Sequence, residues 1–147
     1  MNIKLNLNIY KMAIFESLSK YRNTGLLIMR IGLGIMMMMH GFPKLSGGLE
    51  MWIKIGGSMK VIGIDFFPIG WGFMAAATES IGGLFLLLGL FFRPVNILLL
   101  FTMIVASLVH LIDLKQDIME ASHAIELGVV FLGLVFIGPG KYSIDKK

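Results

Sequence analysis

The sequence predicts an all-α fold: an integral membrane four-helix bundle with a short interfacial helix between spans one and two. Three observations carry this reading. The 147-residue chain is 56% hydrophobic and only 15% charged, whereas a soluble domain is about 25% charged. A domain of this length has too much surface for its volume to keep so many apolar side chains from water. The apolar residues also gather into four runs, each close to the roughly 20 residues a helix needs to cross about 30 Å of hydrocarbon. The composition excludes disordered and collagen-like chains. The net charge of +4 lies in segments flanking the runs, which makes it a topology signal and not the footprint of a nucleic-acid partner. With no cysteine, the chain has no disulfide, iron–sulfur cluster, thiolate metal site or redox thiol of its own.

In chain order, residues 1–23 are expected to form a basic amphipathic segment on the cytoplasmic surface, with Ile14, Leu18 and Tyr21 spaced helically and Lys11, Lys20 and Arg22 nearby. A cleaved signal peptide is not expected. The first long apolar run begins only near Leu26, contains Arg30 and lacks a small-x-small cleavage pattern. The membrane domain is expected over residues 24–140. Its first span, Leu26 to Phe42, is apolar except for Arg30 and His40. The 42–67 segment is too polar to span. Within it Trp52, Ile55, Met59, Ile62 and Phe66 make one apolar stripe, which predicts a short helix lying flat on the membrane surface. Gly56 and Gly57 weaken that helix by about 1 kcal/mol each. The second span, Phe66 to Phe92, is interrupted only by Glu79.

Arg93-Pro94 leaves room for a tight turn, because proline starts a helix well and continues one badly. The third span, Pro94 to Ile112, carries Asn96, Thr102, Ser107 and His110. A polar turn from Lys115 to Glu120 leads to the fourth and shortest run, Ser122 to Ile137, which contains His123 and Glu126. Gly138-Pro139-Gly140 stops it, leaving 141–147 as an expected cytoplasmic tail. Four crossings put eight basic residues on the side of the termini and four on the other, so both termini are expected in the cytoplasm.

A charged side chain at the bilayer centre costs about 2.5–3.5 kcal/mol on insertion scales, so those inside spans are expected to face the bundle interior. Glu79 has Ala75, Ala76, Gly82 and Gly83 three and four residues away, so another helix can come close at its depth. It is either a protonated, hydrogen-bonded group in a packing seam or a proton-carrying or ligand-binding carboxylate. Arg30 shares a face with Gly34, Met37, Gly41 and Lys44. It either snorkels to the headgroups or reaches toward Glu79, over a depth difference of about 13 Å at 1.5 Å per residue. His40, His110, His123 and Glu126 lie at similar depth in the outer half. No metal is predicted there, since no metal-binding spacing is present, and these four are only weak candidates. The ligand-pocket candidates are Arg30, His40, Lys44, Glu79, His110 and Glu126. They are expected to share one polar pocket, with both glutamates turned inward, Arg30 below and Lys44 at the mouth. No catalytic residue is assigned, because there is neither a nucleophile-elbow serine nor a phosphate-binding glycine motif.

From about Leu26 to Asp145 the chain resembles the DoxX family of small four-span membrane proteins. The matching elements are Arg30-x-Gly-x-Gly, His40-Gly41-x-x-Lys44, Glu79-x-x-Gly82-Gly83 running on to Gly89, and Arg93. They continue with Met103-x-x-Ala106-x-x-x-His110, Glu126 and the most specific piece, Gly138-Pro139-Gly140-Lys141-Tyr142-Ser143-Ile144-Asp145. The resemblance is silent about residues 1–23. It implies a multi-pass protein of the bacterial cytoplasmic (inner) membrane. Some members are subunits of a thiosulfate:quinone oxidoreductase, and others are linked to oxidative-stress complexes or quinone tolerance. The implied role is a membrane subunit associated with quinone-linked or oxidative-stress redox chemistry. Without cysteine, independent thiosulfate chemistry is implausible. A non-catalytic subunit is therefore expected, with quinone as the candidate cofactor and redox-enzyme subunits or further copies of the chain as partners. The alternatives are a small proton- or small-molecule-moving export factor and a structural anchor that recruits proteins through its basic face.

Overall fold

The computed structural model describes residues 16–145, so most of the expected N-terminal amphipathic segment lies outside the described residues; of it, Glu16–Tyr21 form a 3-10 turn leading into the first helix. Five α-helices follow: α1 (Arg22–Ser46), α2 (Gly48–Gly57), α3 (Pro68–Leu88), α4 (Phe92–Leu108) and α5 (Ile118–Ile137). No strand occurs among the described residues. Four helical stretches, Leu18–Ser46, Pro68–Leu88, Phe92–Asp113 and Ile118–Ile137, are long and apolar enough to cross a membrane. The expected four-span helical bundle is therefore present, and the chain is a multi-pass membrane protein. Ile28, Phe73, Ile97, Val129 and Phe136 stand exposed on its flanks, as befits helices whose outer faces meet lipid instead of water.

The helices pack in the order α1 on α3, α3 on α4 and α4 on α5. Met37, Leu86, Leu99, Met103, Phe131 and Leu134 meet in the core. Glycines set the closest approach. A Cβ at Gly34 would overlap the Gly83 carbonyl and Leu87, and one at Gly41 would overlap the Glu79 and Ser80 backbone. Further on, Gly72 lies against the Trp52 backbone and Gly56 against the Pro68 carbonyl. Rising numbers on α1 and α2 meet falling numbers on α3, so both helices run antiparallel to it in succession.

The expected short helix between spans one and two is thus α2, with a 3-10 extension over Ser58–Ile62. It is docked more closely than a helix resting flat on a surface would be, because Gly56 and Gly72 allow backbone contact with α3. Of its apolar stripe, Met59 is buried and Trp52 and Ile55 are half-buried, while Ile62 and Phe66 remain exposed. Pro43 lies in the last turn of α1, where it removes one helical donor and crowds the preceding turn. Gly47 then caps Pro43 O at 3.0 Å and Gly48 turns left-handed at φ 69°. Trp52 Nε1 donates to Lys44 O at 3.1 Å, tying α2 back to the last turn of α1.

Residues 141–145 of the expected cytoplasmic tail are hydrogen-bonded to the helices. Ile144 N and Asp145 N donate to Leu88 O and Gly89 O at 3.2 and 2.9 Å, and Lys141 N donates to Asn23 Oδ1 at 3.0 Å. Asp145 accepts from Phe91 N at 3.0 Å and Phe92 N at 2.8 Å. It thereby satisfies orphan donors at the start of α4 and braces Phe91, which is held left-handed at φ 45°. Residues 141–145 therefore close one end of the bundle. At the other end α4 passes into a π-helical turn over Val109–Asp113, and α5 opens at Asp117, whose carboxylate accepts from Ile118 N at 2.6 Å.

Candidate functional site

Glu79 sits on the face of α3 that Gly41 touches, so the glycine-lined approach of α1 brings the carboxylate inside the bundle. One turn along α1 from His40, Lys44 reaches it. Lys44 Nζ lies 2.7 Å from Glu79 Oε1 and 2.5 Å from Oε2. The glutamate side chain is 4% exposed and the lysine 36%. The anion is therefore enclosed, while its cation remains open on one side. Pairing is what makes this burial tolerable, because a lone carboxylate there would have neither water nor lipid to satisfy it. The structure thus turns Glu79 inward, as expected, and gives it Lys44 as a partner.

Arg30 lies deeper along the same face of α1, at 1% exposure. Its donors go to carbonyls: Leu86 O at 3.2 Å, Leu87 O at 2.8 Å, Pro139 O at 3.0 Å and Tyr142 O at 2.7 Å. The guanidinium therefore neither snorkels nor reaches Glu79. It joins α1, the end of α3 and the C-terminal segment, and it shares the Leu86 carbonyl with Gly89 N, which donates to it at 3.2 Å.

The remaining candidates separate. His40 on α1 and His123 on α5 are exposed and face each other, with ring centroids 6.1 Å apart. His110 instead lies in the π turn, where Nδ1 is 2.6 Å from Gln116 Oε1 and its carbonyl accepts from Gln116 N at 2.9 Å. The expectation that both glutamates turn inward fails for Glu126, which is exposed on the outer surface of α5. A single shared pocket of all six candidates is therefore not formed. Among the described residues, no three His, Asp or Glu side chains group as a metal set.

Sequence reasoning missed Asp145 as an anchoring residue, although the motif contains it, because its partners are backbone N–H groups. It also missed buried Ser80 and Asn96, which donate to Ala76 O and Phe92 O at 2.7 Å each. Both spend their donors on the preceding turn of their own helix. Asn96 Oδ1 and Trp71 Nε1 are buried without a partner among the described residues.

Fold and site together define a small helical membrane protein with an enclosed ion pair between its first two spans. The DoxX family profile matches residues 25–111, more than half of the chain, and the chain belongs to the DoxX family. The matched region contains Arg30, His40, Lys44, Glu79 and His110 and ends before α5 and the C-terminal segment. Comparison with curated proteins finds no match, and comparison with solved structures finds none.

Proposed function

We propose that this chain is a non-catalytic membrane subunit that seats the headgroup of a quinone beside the Lys44–Glu79 pair. The single observation that carries the reading is the asymmetry of that pair, with an enclosed carboxylate and an ammonium open on one side. Two of the three ammonium N–H groups are accounted for by Glu79, which leaves one for an incoming acceptor. A quinone carbonyl needs a few placed donors in apolar surroundings, and a charged donor is the stronger kind. His40, one turn earlier on α1 and exposed, offers a second donor. A lipid-soluble headgroup would approach from the bilayer side. In this reading Arg30 fixes the register of α1 on α3, and His110 braces the turn at the outer end.

Partner subunits would supply the electron carriers, since a chain without cysteine brings no thiol or iron–sulfur chemistry. The placement is the bacterial cytoplasmic membrane with both termini inside, supported by the distribution of basic residues around the four spans.

The test is a titration of the purified protein in lipid with a menaquinone or ubiquinone analogue, read by tryptophan fluorescence. Trp52 is well placed to report, because its indole is hydrogen-bonded to the Lys44 carbonyl. Saturable quenching is expected, with affinity reduced about tenfold in Lys44→Gln, the loss of one charged hydrogen bond. Non-saturable quenching, or equal affinity in wild type and Lys44→Gln, would refute the seat.

A further inference from the structure

We propose that α5 is the surface through which two copies of this chain pair in the bilayer, with the Glu126 carboxyls of the two copies hydrogen-bonded to each other. Glu126 lies eight residues into a twenty-residue span, about 12 Å along it at 1.5 Å per residue. It is exposed and has no hydrogen-bond or ion-pair partner among the described residues. Its own protomer therefore leaves a carboxyl facing hydrocarbon near mid-span, where an ionisable group is expensive unless something covers it.

The surface around it can accept a helix. Ala121, Ala124, Gly128, Phe131 and Leu134 are buried on the opposite side of α5, which commits that side to the bundle. Ser122, Glu126, Val129 and Gly133 recur at spacings of four, three and four on the outer side. Val129 is 65% exposed. A Cβ at Gly133 would meet nothing, so the surface two turns beyond Glu126 is open.

The occupant is a second copy because the complementarity is supplied by the residue itself. All copies insert with the same orientation, so a two-fold axis along the membrane normal brings the two Glu126 side chains to the same depth. Such an interface uses the same patch on both protomers. Two carboxyls that close cannot both ionise, so one keeps its proton and donates to the other.

The chain contains no cysteine, so one introduced thiol reports without background. Val129→Cys and, as a control on an exposed face of α4, Ile97→Cys would be oxidised in proteoliposomes and the disulfide-linked dimer measured. The expected result is several-fold more dimer from Val129→Cys. Adding Glu126→Leu should lower it about threefold to tenfold, the range of one interhelical hydrogen bond in a membrane. Adding Glu126→Gln should preserve it, because an amide both donates and accepts. Equal yields from the two thiols, or no effect of Glu126→Leu, would overturn the proposal. Among the described residues Glu126 makes no polar side-chain contact, so these changes leave the monomer fold in place. The result does not depend on quinone binding.

Discussion

Arg30 and Glu79 are both almost fully buried, yet they are satisfied in different ways. The sequence offered Glu79 as one partner for Arg30 and also showed why that pairing was poor, since the two lie at different depths. It could not reveal the carbonyls of Leu86, Leu87, Pro139 and Tyr142 that Arg30 uses, because backbone acceptors have no signature in residue identity. Lys44 and Glu79 are 35 residues apart, and no periodicity connects them. Small residues around Glu79 did announce the close helix, which is why its inward orientation was legible. Glu126 was not, because α5 is apolar on nearly every side and residue identity does not show which side meets the bundle. From the Arg30 geometry, Arg30→Met should lower stability by about 3–5 kcal/mol, because several enclosed backbone carbonyls lose their donor at about 1–3 kcal/mol each. Arg30→Lys should recover only part, since a single ammonium cannot fork to four carbonyls. Thermal unfolding in detergent checks this, and a midpoint unchanged in Arg30→Met would contradict the assigned role.

At the scale of elements, hydropathy and helix punctuation located the four spans and their joints to within a few residues. They placed the end of the first span at Phe42, four residues before α1 ends at Ser46, and gave no sign of the π turn before Leu114. Both depend on how a local turn is held by distant contacts, such as Trp52 on Lys44 O and His110 beside Gln116. The glycines show the same limit. Sequence lists Gly25, Gly32, Gly34 and Gly41 on one helix, but only Gly34 and Gly41 touch α3, while a Cβ at Gly25 or Gly32 meets nothing. Gly41→Ala should therefore destabilise by about 1–3 kcal/mol through overpacking, and it should loosen the Lys44–Glu79 pair. Gly32→Ala should be neutral or stabilise by about 0.5–1 kcal/mol, the difference in helix preference. Paired unfolding curves distinguish the two sites. Equal effects would mean that α1 does not approach α3 through Gly41.

At the scale of the whole molecule, the bundle is closed at one end by the Arg30 and Asp145 contacts and capped at the other by α2 and the π turn. The Lys44–Glu79 pair lies between these ends. Two clefts mark the ends themselves. One of about 750 Å³ is lined by Phe91, Phe92, Arg93, Pro94, Pro139, Ile144 and Asp145, and one of about 150 Å³ lies between α2 and the start of α3. Neither contains Lys44, Glu79 or His40, so a quinone bound in either cleft would occupy a site different from the proposed one. The two possibilities are separated most directly by photolabelling the protein in lipid with an azido-quinone and mapping the modified residues by mass spectrometry. Labelling on α1 around His40 and Lys44 and on α5 near His123, with loss in Lys44→Gln, is the predicted result. Labelling confined to the Phe91–Pro94 cleft, or labelling insensitive to Lys44→Gln, would contradict it.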